Sequence, residues 1–254
     1  ALTDNGTQMT QVQEGTPVTI VDTFSYTNLI PGMSYQLDGT IHLLSEDEEG
    51  NLTDGGEVAK AQTIFTADAA DGSVEVTFTF DGTELDGETV VVFETLSRDG
   101  QVIAQHNDLT DADQTIHFVR VRTRALAEND EHEMTISGGQ ITIEDLVEFK
   151  NLIPDMEYTV NGSLHMQTAD EGGMVTDGGV FAVNDEEVVG SATFTPESAD
   201  GSTHVTFTFN TDDLGDVTLV AFEEIYLGDA KIAGHTDIED MYQTVILHPE
   251  QAEE

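Results

Sequence analysis

Apolar and polar residues alternate with period two through Val74-Glu-Val-Thr-Phe-Thr-Phe80 and again through Val205-Thr-Phe-Thr-Phe209, the pattern of strands with one face in a core. Asn28-Leu-Ile-Pro-Gly32, Ala70-Asp-Gly72 and Arg98-Asp-Gly100 supply turns between such runs. Helical periodicity is absent apart from single turns expected near Thr83–Leu85 and Thr211–Leu214. The pattern predicts an all-β chain.

The pattern also repeats. Ile20 to His42 matches Ile143 to His165 at an offset of 123, and the run from Phe65 matches the run from Phe194 at an offset of 129. The second offset carries Val91-Val-Phe-Glu94 onto Val220-Ala-Phe-Glu223, and His106 onto His235. The six extra residues of the second copy fall after Thr176-Asp-Gly-Gly179, where a loop takes an insertion cheaply. Each copy offers about seven strands, the number of a two-sheet sandwich. The expected architecture is two tandem immunoglobulin-like, Greek-key β-sandwiches spanning residues 1–122 and 123–254, with the boundary in 123–131, where Arg-Ala-Leu-Ala-Glu-Asn-Asp is read as breaking the alternation.

Charge narrows the partners. Against 51 Asp plus Glu stand 7 Lys plus Arg, a formal net charge of −44. Nucleic acid is excluded, because its phosphates are held by clustered Lys and Arg, and anionic membrane surfaces are disfavoured for the same reason. No apolar run is long enough to span a membrane. No signal peptide or anchor is visible between Ala1 and the closing Gln-Ala-Glu-Glu, so an exported protein of this sequence is expected to be a mature or excised piece. The chain has no cysteine, which removes disulfides, thiolate zinc sites and cysteine nucleophiles. No cofactor is expected. The loops Ser45–Asn51 and Thr168–Gly173 cluster carboxylates of the kind Ca2+ takes, but neither has EF-hand spacing and solvated charge is the default reading. The histidines show no metal-ligand spacing, and His42 and His165 are read as strand residues.

Polar residues in phase with core residues carry the candidate chemistry. Glu94 shares its face with Val90, Val92 and Leu96, and Glu223 shares its face with Leu219, Ala221 and Ile225. A carboxylate facing a core is costly unless it is paired or protonated. Gln114 is in phase with Ile116 and Phe118, and Gln243 with Val245 and Leu247. His106 and His235 each stand eight residues ahead of the glutamine. A threonine such as Thr23, beside a glutamine, a histidine and a glutamate, has the parts for one reaction: the hydroxyl attacks the carboxamide carbon, ammonia leaves, and an ester remains.

These words in this order resemble the VaFE repeats, or Thr-Gln ester-bond domains, of Gram-positive bacterial surface adhesins. The matching segments are Asp22-Thr23-Phe-Ser-Tyr26 with Asn28-Leu-Ile-Pro-Gly32, Val92-Phe-Glu94, and His106-Asn-Asp108 with Asp113-Gln114-Thr115; the second copy has Asn151-Leu-Ile-Pro154, Val220-Ala-Phe-Glu223, His235-Thr-Asp237 and Gln243-Thr-Val245. The resemblance implies an intramolecular ester between a first-strand Thr and a last-strand Gln. Carried onto this chain, it implies Thr23 and Gln114 as cross-link partners in the first copy, with Glu94 and His106 assisting. It leaves Glu223, His235 and Gln243 as a partial set in the second copy, where Leu146 aligns with Thr23 and Thr142 lies four residues earlier on the strand. An acid that many relatives place after the Gly-x-Leu strand is replaced by Leu43 and Met166.

The function expected from this is a structural stalk or filament module of a cell-surface adhesin, extracellular and anchored through its parent protein or fibre, with neighbouring repeats as partners and no enzymatic turnover. The alternatives are an adhesin head binding a host glycan or protein through the longer second-copy loop around Phe181, and a filament subunit in which the Thr-rich N-terminal stretch 1–10 reaches Gln243 of a neighbour.

Overall fold

The computed structural model describes residues 1–128 and 131–250; Asn129 and Asp130 of the expected boundary segment, and the closing residues 251–254, lie outside the described residues. The chain divides into two compact units, Ala1–Arg120 and Val121–Glu254.

Unit 1 is built from β1 (Leu2–Thr3), β2 (Met9–Thr10), β3 (Val18–Tyr26), β4 (Ser34–Glu46), β5 (Leu52–Thr66), β6 (Gly72–Phe80), β7 (Thr89–Arg98), β8 (Gln101–His106) and β9 (Thr115–Phe118). One sheet has the order β1-β3-β6; the other runs β2-β9-β7-β4-β5, with β8 also on β7. The two sheets close over one core, to which β3 and β6 bring Ile20, Val76 and Phe78 and the larger sheet brings Leu37, Ile41, Val90, Leu96, Ile116 and Phe118. The first strand changes sheets: β1 pairs antiparallel with β3, and β2 pairs parallel with β9. Between them Asn5 ties the crossing, its Oδ1 accepting from the hydroxyls of Thr3 and Thr7 at 2.8 Å each. The Thr-rich N-terminal stretch is therefore folded into its own unit, with Met9 fully buried, and is not an arm free to reach a neighbour.

Val121–Glu254 repeats the plan with β10 (Arg120–Ala127), which begins one residue before the division, and then β11 (Glu133–Ile136), β12 (Gln140–Lys150), β13 (Tyr158–Ala169), β14 (Val175–Val180), β15 (Ala182–Val183), β16 (Glu186–Glu187), β17 (Val189–Phe194), β18 (Gly201–Asn210), β19 (Val217–Leu227), β20 (Ala230–His235) and β21 (Thr244–Pro249). Its sheets are β10-β12-β18 and β11-β21-β19-β13-β14, with β17 on β13 and β20 on β19. The segment expected to break the alternation instead continues it: Val121, Thr123, Ala125 and Ala127 are buried, while Arg122 and Arg124 are exposed.

The six-residue insertion converts the counterpart of β5 into β14, a β15–β16 hairpin and β17. The hairpin is anchored by Phe181, whose N–H donates to the Leu164 carbonyl at 2.7 Å and whose ring meets Phe209 edge-on at 5.3 Å. Phe181 is thus a core residue and not an exposed aromatic for a ligand. Of the expected single turns, Thr83–Leu85 is a 3-10 turn, and the Leu214 N–H closes a turn on the Thr211 carbonyl at 3.1 Å.

In both units the last strand is split. β8 pairs with Glu94–Arg98 of β7 and β9 pairs with Thr89–Val91, so residues 107–114 leave the sheet edge opposite Glu94 and return. The excursion 236–243 between β20 and β21 does the same opposite Glu223. His106 and His235 end the first half of the strand, and Gln114 and Gln243 stand at the start of the second.

Candidate functional site

The register places a glutamate of the central strand opposite each of these histidines, as Glu94↔His106 and Glu223↔His235. Its other neighbour is a glycine, Gly39 or Gly162. A Cβ at Gly162 would stand 2.7 Å from the tip of the Phe207 ring and 2.9 Å from Val205, and one at Gly39 would stand 2.6 Å from Phe78. Only a residue without a side chain lets the facing sheet approach here.

The structure places Thr23 away from these groups. In β3 the buried face is Val18, Ile20 and Asp22, and Thr23 is exposed, paired with Glu75 on the outer side. The reason is phase: a strand alternates, so Thr23 cannot share a face with Ile20. Asp22 is the inward residue, 1% exposed. Asp145 holds the matching position in β12, paired with Val205 and fully buried, and Leu146 beside it is the outer residue, as Thr23 is. Where the acid expected after the Gly-x-Leu strand is replaced by Leu43 and Met166, the buried acids are Asp22 and Asp145 of the opposite sheet. Thr142 lies in the outer phase of β12 and bonds to the Thr208 hydroxyl at 3.1 Å.

The threonine that does enter the second site is Thr123 of β10, 7% exposed. Its hydroxyl lies 3.0 Å from Nδ1 of His235 and hydrogen-bonds the Glu223 carboxyl, which also accepts from Nε2 of Gln243 at 2.5 Å. Nε2 of His235 lies 3.1 Å from Asp240, which fixes the ring. Unit 2 thus brings together Thr123, Gln243, Glu223, His235 and Asp145. A threonine hydroxyl thus stands among the groups that the resemblance had left as a partial set.

Burial is the first force acting on the two carboxyls of unit 2. Desolvation and the neighbouring Asp145 push Glu223 well above the usual carboxylate range. Desolvation likewise lifts Asp145 to about 6, against the hydrogen bonds of Glu223 and the Arg124 backbone. Two buried carboxyls in contact hold a proton between them, which gives the site an acid beside the carboxamide. Oε1 of Gln243 is buried without a hydrogen-bond partner.

Among the described residues, unit 1 assembles the same groups without the hydroxyl. Gln114 donates to Glu94 at 3.3 Å, His106 Nδ1 lies 3.5 Å from Glu94, and Asp111 holds His106 Nε2 at 3.0 Å. Burial, followed by the Asp22 carboxyl, lifts Glu94 to about 9. The place of Ala125 in unit 2 is taken by Ala1. The Ala125 N–H donates to the Tyr242 carbonyl at 3.0 Å, and the Ala1 amine donates to the Asp113 carbonyl at 2.7 Å and lies 3.2 Å from Asp22.

Sequence reasoning missed Thr123, Asp22, Asp145, Asp111 and Asp240. The first had a signal in the strict Arg-Val-Arg-Thr-Arg alternation of 120–124. Asp108 and Asp237, two residues after the histidines, cap turns, accepting from the N–H of Thr110 and of Glu239 at 2.9 Å.

His42 and His165 are strand residues with a common clasp. His165 Nδ1 lies 3.0 Å from Asp177, Nε2 lies 3.1 Å from Ser163, and the ring stacks on Phe222 at 4.1 Å; His42 meets Asp54, Thr40 and Phe93 in the same way. In the acidic loops, Asp47 accepts from the N–H of Glu49 and Asn51, and Asp170 from those of Gly172 and Met174. One carboxylate of each loop therefore closes its own turn.

The family described as T-Q ester bond containing domain matches residues 1–118 and 119–247. No curated protein matches the chain. Among solved structures, a bacterial adhesin from Mobiluncus mulieris containing intramolecular disulfide, isopeptide and ester bond cross-links is 17% identical, with a TM-score of 0.41 over 52% of this chain and 57% of that one. This chain thus spans little more than half of that adhesin. The C-terminal domain of the Streptococcus agalactiae AgI/II polypeptide BspA is 12% identical over 97% and 98%, with a TM-score of 0.39, and that of the Streptococcus pyogenes antigen I/II-family protein AspA is 9% identical over 97% of both chains, with a TM-score of 0.37.

Proposed function

The chain belongs to the T-Q ester bond domain family through both of its copies, and from this we propose that it is a load-bearing module of a bacterial surface adhesin whose second unit locks itself with an ester between Thr123 and Gln243. The observation that carries the reading is the convergence of the Thr123 hydroxyl and the Gln243 carboxamide on one buried carboxyl, Glu223, with His235 at the hydroxyl.

The chemistry follows from the contacts. His235 Nδ1 takes the hydroxyl proton as Oγ1 attacks Cδ of Gln243. Glu223, which contacts Nε2 of Gln243 and shares a proton with Asp145, holds the carboxamide nitrogen as it becomes the leaving group. The Cδ–Nε2 bond then breaks, and the amine leaves as ammonia with the proton taken from the hydroxyl. The carboxamide is consumed, so the site turns over once.

The bond's purpose is mechanical. Thr123 lies on the first strand of one sheet and Gln243 precedes the last strand of the other, so the ester joins the two strands through which tension enters and leaves. Closing a loop of roughly 120 residues constrains the unfolded chain by about 5 kcal/mol, by analogy with a disulfide of that span. A protein without cysteine has no disulfide to serve this purpose.

Intact mass under denaturing conditions tests the reading. One ammonia is missing from the wild-type chain and none from Thr123→Val or Gln243→Ala; a wild-type chain of unmodified mass sinks it. The stalk role is favoured over a ligand-binding head by the burial of Phe181, the aromatic of the enlarged loop.

A further inference from the structure

The outer face of the larger sheet of unit 2 carries a second constellation, on the side away from the core that Leu164 enters. Ser163 and His165 stand two apart on β13 and so share that face, and Asp177 reaches them from β14. His165 Nδ1 lies 3.0 Å from Asp177, and Nε2 lies 3.1 Å from the Ser163 hydroxyl. Burial works to raise the Asp177 carboxyl, but the His165 ring and the Gly179 N–H outweigh it and hold the group below the usual carboxylate range. An ionised Asp177 only accepts, so in the neutral ring Nδ1 carries the hydrogen and Nε2 is left to accept from Ser163. A hydroxyl, an imidazole and a carboxylate in this order are the parts of an activated serine.

The surroundings of Ser163 suit an acyl group. Phe222, its partner on β19, stacks on the His165 ring at 4.1 Å, and Val189, its partner on β17, is 58% exposed. These two flank the hydroxyl with apolar surface. Asn161 stands on the same face, on the side of Ser163 away from His165. Its Oδ1 accepts from Ser191 at 2.8 Å, which leaves Nδ2 as the end that donates to a ligand. A donor placed there meets the charge that develops on a carbonyl oxygen.

Unit 1 repeats the clasp with different neighbours. His42 lies between Asp54 and Thr40, but Thr40 adds a methyl group, its partner on β5 is Lys60 instead of a valine, and Asp38 stands where unit 2 has Asn161. The Asp38 carboxyl accepts from Gln36 and Gln62 at 2.7 and 2.6 Å and opposes negative charge on a carbonyl oxygen. The contrast confines the chemistry to unit 2.

We propose that Ser163 is a modification site, an activated serine that takes the acyl group of a neutral carboxylic ester. Anionic esters are turned away by the chain's net charge of −44. Oγ bonds to the carbonyl carbon as His165 Nε2 takes the hydroxyl proton. The bond from that carbon to the leaving alcohol oxygen then breaks, and the proton passes from His165 to that oxygen. The acyl group stays on Ser163. None of these groups takes part in the ester proposed between Thr123 and Gln243, so the two readings stand or fall separately.

The test incubates the whole chain with p-nitrophenyl acetate, follows release of p-nitrophenol by absorbance and maps the added acetyl group by proteolysis. One acetyl group is expected on Ser163 and none on Thr40, and Ser163→Ala removes it. Asp177→Asn keeps the size of the side chain but offers the ring a donor in place of an acceptor. It slows acetylation of Ser163 by about 10²-fold or more with an unchanged thermal melt, and Asp177→Glu restores part of the rate. Asn161→Asp slows it as well. Ser163 acetylated no faster in the folded chain than in urea, or equally fast in Asp177→Asn, overturns the inference, as does acetyl found only on lysines. Thr40 acetylated as fast as Ser163 overturns the assignment to unit 2.

Discussion

The hydroxyl of Thr123 lies 3.0 Å from Nδ1 of His235, although 112 residues separate them in sequence. That contact is what assigns the proposed ester to unit 2. It joins β10 to the end of β20 and brings a hydroxyl into unit 2, where the resemblance had pointed to unit 1.

Thr123→Val should lower the stability of unit 2 toward denaturant by about 5 kcal/mol, the worth of the constrained loop, with little change in the folded core because valine matches threonine in shape. Thr23→Ala, on the exposed outer face of β3, should leave both mass and stability near wild type. Urea unfolding of the two variants checks the pair. Equal behaviour would return Thr23 to consideration.

His235→Ala should slow ammonia loss by roughly 10²-fold or more, the ordinary contribution of a positioned base, without preventing the final product. Asp240→Asn, which keeps the contact to Nε2 but removes the charge 3.1 Å away, should slow it less. The time course of intact mass after refolding protein recovered in the unfolded state measures both rates.

The stability of unit 1 should fall as pH rises between 4.5 and about 9. Burial and the Asp22 carboxyl raise Glu94 over that interval, so the folded unit holds a proton that the unfolded chain has released. The contribution is fully present below 4.5 and is lost as pH passes through about 9. Its slope is at most about 1.4 kcal/mol per pH unit. Glu94→Gln keeps the shape and cannot ionise, so its urea midpoints at pH 5, 7 and 9 should vary less than those of wild type.

Gly162→Ala should destabilise unit 2 by about 1 to 3 kcal/mol, because the added methyl meets Phe207 and Val205 inside van der Waals distance and a packed core yields poorly. Ala at Asn161, exposed on the outer side of the same strand, should cost far less. Thermal melts of the two variants separate a steric origin from a general strand effect.

The sandwich and its repetition were legible because they depend on local alternation. The phase of Val18, Ile20 and Asp22, read strictly, already put Asp22 inside and Thr23 outside. Transferring a threonine by alignment overrode that phase. Glu94, Glu223, Gln114 and Gln243 were found because each polar residue stands in phase with core neighbours on its own strand.

Thr123 was hidden for a different reason. Its strand has only Val121 and small alanines on the inner face and arginines outside, so its hydrophobic signal is weak and it reads as a linker. The hairpin within the insertion was hidden too, since anchoring Phe181 depends on Phe209 across the core.

By itself, the sequence determined two β-sandwich copies, the inward glutamates and glutamines, and the lack of any disulfide, because alternation, repetition and composition are properties of the chain alone. Which hydroxyl meets which carboxamide was decided only by the tertiary structure. The two sheets bring Thr123 and Asp145 from one side and Glu223, His235 and Gln243 from the other, and packing across the core sets their register without leaving a local trace in the chain.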